Sequence, residues 1–207
     1  MEKSSRSLWT EKILNRAKDL NPKDLSLSPY LRKKSEAYQR TLTGVKVCGV
    51  ILGIDPSLRG TGLSALEAKS DGSIKYIEST TVKNNPKLSM AECLGRIYQE
   101  TAAIIKRTSP IAVAIEQSVY VQNFKTAMTL GSSRGAVLAA AACAKLKVFE
   151  YPPLRIKQAV IGYGRASKEQ VARSVAVMVL GAGILPPDES DASAAALTHI
   201  FTHKELK

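Results

Sequence analysis

The hydrophobic pattern of the chain changes character near residue 46. From Val47 to Ile54 apolar residues run almost without a break, the pattern of a strand buried on both faces. Gly62–Ala68 and Ser73–Val82 follow as strand-like stretches separated by Asp71-Gly72, a pair suited to a tight hairpin turn. Together the three predict a meander. Met90–Arg107 places Leu94, Ile97, Ala102, Ile104 and Ile105 at helical spacing, and Ser109-Pro110 closes it before the apolar run Ile111–Ile115, expected as a central strand. Ala127–Lys145 is rich in Ala and Gly and reads as a helix, Lys147–Tyr151 as a short fifth strand, and Ser167–Leu180 and Asp188–His203 as further helices. Strands followed by helices in this order predict an α/β fold with a mixed sheet. Internal repeats and low-complexity tracts are absent.

Residues 1–45 lack the aliphatic runs that build a core and carry ten Lys or Arg against five Asp or Glu. Leu8, Trp9, Ile13, Leu14, Ala17 and Leu20 recur at helical spacing up to Asn21-Pro22, and Ser28-Pro29 offers an N-cap and first turn for a second helix. The expected organisation is a basic extension over 1–45 with two short helices, followed by one domain over 46–207. A targeting peptide fits this segment less well, because it holds acids from Glu2 onward and no apolar signal core. A length of 207 residues suits one core with an appendage.

Composition narrows the function. The apolar runs fall well short of the ~18 residues a membrane span needs, so no membrane association is expected. Cys48, Cys93 and Cys143 are odd in number and widely spaced, which excludes a disulfide framework and a paired-cysteine metal motif and points to a reduced, cytoplasmic protein. A net charge of +12 favours a polyanionic partner, nucleic acid foremost.

The acids refine this picture. Asp55 directly follows the first buried run and Glu116 follows Ile111–Ile115, so each is expected where a strand emerges at its C-terminal end, the edge at which α/β sheets gather ligands. Either acid alone reads better as the start of a polar turn; two together weaken that reading. Asp188 and Asp191, three apart after Pro186-Pro187, share one face of the last helix; as a cap and capping-box pair they would need no ligand. Were all four to meet, carboxylates ~5 Å apart would repel by about 3 kcal/mol per pair at an effective dielectric near 20, and a divalent cation would be needed among them. Oxygen donors without paired cysteines favour Mg²⁺ or Mn²⁺, and two such ions suit phosphodiester hydrolysis. His199 and His203, the only two histidines, have a spacing that could hold a metal, but without an adjacent Glu they read better as a solvated helix end.

The stretches Ile51-Leu52-Gly53-Ile54-Asp55-Pro56 with Thr61-Gly62, Ala114-Ile115-Glu116-Gln117, and Asp188-x-x-Asp191-Ala192 resemble the RuvC-type Holliday junction resolvases. The resemblance extends through Leu130-Gly131 with Arg134-Gly135, Val148–Tyr151, Lys157-Gln158, Gly162-x-Gly164, Lys168 and Leu197-Thr198-His199, covering about 49–203. It implies an RNase H-like fold with a mixed five-stranded sheet flanked by helices, and a homodimer that makes two symmetric nicks in four-way DNA, leaving 5′-phosphate and 3′-hydroxyl ends. It further implies Asp55, Glu116, Asp188 and Asp191 as catalytic ligands of two Mg²⁺ per site, replaceable by Mn²⁺, and branch-migration proteins as further partners. Lys157 and Lys168 match basic positions near the scissile phosphate, and Arg165 lies on the Gly162–Arg165 loop suited to close approach of DNA. The family's aromatic junction contact falls at Val119 here, leaving Tyr120 or Phe124 to stack on bases. The resemblance also favours a second subunit against the small residues Gly131, Ser132, Ser133, Gly135 and Ala136, because a two-fold dimer matches a two-fold junction. The basic extension and the missing polar tail depart from typical members. A non-catalytic junction-binding protein, and an RNase H-like nuclease for RNA or flaps, are the competing readings; a phosphate-binding turn of an ATPase at Asp55–Gly62 is a more distant one.

Overall fold

The computed structural model describes residues 47–117, 123–162 and 164–203. The extension expected over 1–45 lies outside the described residues, as does Tyr120.

Five strands form one mixed sheet: β1 (Gly49–Asp55), β2 (Gly60–Ala68), β3 (Ile74–Lys83), β4 (Ala112–Glu116) and β5 (Lys147–Tyr151), in the order β3-β2-β1-β4-β5. The first three form the antiparallel meander, turning at Lys69–Ser73 where Gly72 takes φ 84°. β4 and β5 then join parallel to β1. Parallel neighbours need crossovers, which α1 (Met90–Thr108) and α2 (Phe124–Cys143) supply. Ser89 and Glu92 form a reciprocal capping box at the start of α1. Beyond β5 come α3 (Pro153–Ile161), α4 (Lys168–Met178, capped by Ser167) and α5 (Pro187–Thr202).

Alternation along the strands sorts the two faces. Leu52, Ile54, Leu63, Ala65, Val113 and Ile115 join Ile97, Ile104 and Ile105 of α1 and Val137 and Ala141 of α2 in one buried cluster. The residues between them in sequence point to the opposite face, where α5 packs on β1, β2 and β4. That face is built from small residues. A Cβ at Gly53 would lie 1.9 Å from the Ala192 carbonyl oxygen, and one at Gly62 would lie 1.9 Å from that of Asp188. Ser193 on α5 donates to Ser64 on β2 at 2.7 Å. Backbone thus meets backbone, and the N-terminal turn of α5 is brought down to the sheet end where β1 and β4 finish.

Among the described residues, the expected helix and strand positions correspond to observed elements within a few residues, with one omission: α3. Pro152-Pro153 reads as a break, yet proline is well tolerated in the first helical turn, and Ile156, Ala159 and Val160 are buried on a helix that packs against α5.

Candidate active site

Asp55 is the last residue of β1 and Glu116 the last of β4, and register places them side by side: Ile54 pairs with Ile115 in the parallel ladder. By alternation both follow the small residues of the α5 face, Gly53 and Ala114. Asp188 and Asp191 occupy the second and fifth positions of α5, which begins on Pro187 after Pro186 and has no side-chain cap. The cap and capping-box reading of the two aspartates is therefore corrected: proline already fixes the helix start, so neither carboxylate is needed for it.

The four acids share one electrostatic environment. Burial first, then the charges of Asp191, Glu116 and Asp188, push the Asp55 carboxyl up to about 7, against the partial relief of Lys168. Glu116 is also raised, by burial and by Asp191, while Lys168 and Lys157 act in the opposite direction. Lys168, at the start of α4, places Nζ 2.7 Å from Asp191 Oδ2, and the Asp191 side chain is only 17% exposed. Burial tends to lower the Lys168 pKa, but this hydrogen bond and the charges of Asp191, Asp55 and Glu116 raise it overall.

The donor set suits a hard divalent cation, since it offers carboxylate oxygen and crowds like charge. Among the described residues, however, no three such side chains are gathered closely enough to hold one ion as they stand. Lys168 instead supplies the positive charge next to Asp191, and the carboxylates would have to turn inward around a bound metal.

Lys157 lies on α3, within electrostatic range of Glu116. Arg165 is exposed in the turn before α4, and Phe124, the first residue of α2, is 77% exposed. The histidines are corrected from a solvated helix end. His199 is buried, accepts or donates at Nδ1 to the Tyr151 hydroxyl at 2.8 Å, and stacks on His203, with Phe149 against both rings. Aromatic neighbours on β5, invisible to local helix spacing, account for the difference.

Two contributors escaped the sequence reading. Glu189, next to Asp188, accepts hydrogen bonds from Ser79 and Thr81 of β3, the latter at 3.1 Å, and so ties the first turn of α5 to the sheet. Gly60 leaves room for Asp188, whose Oδ2 would lie 2.9 Å from a Cβ there. The alternation of Ser79 and Thr81 along β3 was the available signal, but nothing local indicated their partner.

A sequence profile described as crossover junction endodeoxyribonuclease RuvC matches residues 51–199. The chain belongs to the RuvC family. Proteins of that name from Syntrophomonas wolfei and Caldicellulosiruptor saccharolyticus are 40% and 35% identical over 74% and 75% of this chain and over 90% and 95% of their own lengths. Among solved structures, Thermus thermophilus RuvC in complex with a Holliday junction substrate is 35% identical with a TM-score of 0.69, covering 74% of this chain and 93% of that one. The yeast mitochondrial resolvase Ydc2, at 10% identity and a TM-score of 0.56, shares the fold. The sheet and its flanking helices are thus the RNase H-like architecture of RuvC proteins.

Proposed function

We propose that the chain resolves four-way DNA junctions with Asp55, Glu116, Asp188 and Asp191 as the ligands of two Mg²⁺ ions. Membership of the RuvC family makes it a metal-dependent endodeoxyribonuclease acting on such junctions. The observation that carries the residue assignment is the convergence on Asp55 at the end of β1: burial first, and then the carboxylates of Asp191, Glu116 and Asp188, from one neighbouring strand end and one helix, raise it to about 7. Bound divalent cations would supply Lewis acidity at a phosphodiester, with Mn²⁺ able to replace Mg²⁺.

The chain's own residues do the positioning. β1 and β4 hold Asp55 and Glu116 on adjacent strands, and close packing at Gly53 and Gly62 fixes α5 with its two aspartates against them. Lys168 and Lys157 bring positive charge to the same edge, where they would meet the scissile phosphate, and Arg165 would contact the backbone nearby. Phe124 and Tyr120 are proposed as base-stacking residues at the opened junction.

A second copy of the chain completes the reading. On α2, Ser133 faces the core while Gly131 and Gly135 have open space where a Cβ would stand, beside exposed Phe124 and Met128. This small, partly apolar surface suits a two-fold partner, which would set two sites for symmetric nicks. Residues 1–45 are proposed as a basic extension to the nuclease domain beginning at 46. No described helix is long and apolar enough to cross a membrane, and a cytoplasmic location, with branch-migration proteins as further partners, belongs to the same proposal.

The test is a synthetic four-way junction labelled on each strand. Paired nicks that require Mg²⁺ or Mn²⁺, lost in Asp55→Asn and Glu116→Gln while junction binding persists, support the assignment. Undiminished cleavage by either variant overturns it.

A further inference from the structure

The peptide that joins Glu116 to Gln117 is held at both of its polar groups. Its N–H donates to the Tyr151 carbonyl of β5 at 2.9 Å. Its carbonyl, that of Glu116, accepts from Arg134 Nη1 at 3.3 Å. In a trans peptide these two groups point in opposite directions, so the unit is gripped from two sides and its rotation is restricted. The ladder to β1 ends one residue earlier, at Ile115, and Arg134 supplies a donor where strand pairing stops.

Arg134 is itself anchored. Its Nη2 forms an ion pair with Glu150 on β5, whose register partner is Ile115, directly before Glu116. Only 14% of the Arg134 side chain is exposed, against 46% for Glu150. The guanidinium therefore spans from α2 to β4 and β5, using two arms of its fork for two different acceptors, which a lysine could not reproduce.

We propose that Arg134 is a positioning residue: by fixing the Glu116–Gln117 peptide it sets the direction in which the Glu116 carboxylate leaves the strand, and Glu150 acts through it. This inference rests on the assignment of Glu116 as a metal ligand. It also implies that α2, the helix offered to a second copy, is mechanically tied to the end of the catalytic strand. Arg134 makes no contribution to DNA affinity in this reading, because its donors are turned inward.

The experiment compares Arg134→Gln, Glu150→Gln and the double variant with the wild-type chain. Mn²⁺ binding to the protein without DNA is followed by electron paramagnetic resonance, and junction affinity is measured in Ca²⁺. Removing the partner that orients a metal ligand is expected to weaken Mn²⁺ binding about tenfold in Arg134→Gln. Glu150→Gln should shift it less in the same direction, the double variant no more than Arg134→Gln, and junction affinity should stay within about twofold. Single-turnover cleavage should need correspondingly more Mg²⁺. Unchanged Mn²⁺ binding, additive effects of the two substitutions, or a loss of junction affinity overturns the proposal. Glu150 is half-exposed, so its variant remains informative if Arg134→Gln folds poorly. Asp55→Asn run alongside separates the two readings: if it loses Mn²⁺ binding while Arg134→Gln does not, the Arg134 role alone fails.

Discussion

At the scale of single residues, the positions of Asp55 and Glu116 were legible because each ends a strong apolar run, whereas the groups that hold the acids were not, because their partners lie far away in sequence. Glu189 shows the difference. In sequence it is one more acid in a helix's first turn; in the fold it accepts from Ser79 and Thr81, more than a hundred residues earlier. Glu189→Ala should leave both hydroxyls without that acceptor and cost about 1–3 kcal/mol in chemical denaturation. It should also slow single-turnover cleavage about tenfold with junction affinity unchanged, as expected if Asp188 loses its fixed position. Equal cleavage rates for variant and wild type would contradict that role. His199 is a second case, with a pH signature. Burial first, then His203, depress its pKa from 6.5 to about 4, so the folded state keeps it neutral. Tyr151, with Arg155 nearby, is the other titratable neighbour facing it from β5. Between those two values the unfolded chain binds the extra proton, and stability must fall as pH drops through this window. The His199 share of the loss between pH 7.5 and 5 is about 2 kcal/mol. Denaturation midpoints of wild type and His199→Phe at both pH values check this, the variant showing the flatter dependence.

At the scale of elements, periodicity located the strands and most helices, while proline and glycine were harder to interpret. Pro152-Pro153 concealed α3 because the same dipeptide that breaks a helix also starts one. Pro186-Pro187 left two explanations for Asp188 and Asp191, and the helix start on Pro187, with no side-chain cap, removes the capping one. Gly53 reads from sequence as a weak point in a strand, since it has no side chain to pack. Its value lies in what it leaves open: a Cβ would fall 1.9 Å from the Ala192 carbonyl oxygen and 2.8 Å from the Ala196 nitrogen. Both are helix backbone and cannot swing aside. Gly53→Ala should push α5 off the sheet, destabilise the chain by more than about 3 kcal/mol and separate the Asp191 carboxylate from Asp55. Gly95→Ala, at a helical position with open space, is the control and should be neutral or stabilise by up to about 1 kcal/mol. Thermal unfolding of the two variants side by side reads the contrast.

At the scale of the whole molecule, the convergence of four acids is a property of the crossovers and not of any local segment. Parallel addition of β4 to β1 brings residues 55 and 116 together, and the return of α5 across β1, β2 and β4 adds 188 and 191. Sequence motifs indicated this only through family resemblance. Charge, by contrast, was legible from composition, and it has an arrangement: residues 1–45 hold ten basic and five acidic residues, so five of the twelve net positive charges belong to that segment. The acidic centre repels a phosphodiester on its own, and attraction must come from cations elsewhere on the chain, Lys157 and Lys168 being those proposed to act locally. Association should therefore be strongly salt-dependent, each phosphate neutralised contributing about −0.9 to the slope of log affinity against log salt. Replacing Lys12, Lys18 and Lys23 by Gln should reduce the steepness of that slope while leaving the cleavage rate of a saturated junction unchanged, as expected if those residues act on encounter and not at the carboxylates. Fluorescence anisotropy across a salt series gives the slope, and single-turnover cleavage at saturating enzyme gives the rate. A slope that stays the same would place the electrostatic attraction wholly within 46–207, and a reduced rate would bring the extension into the chemistry itself.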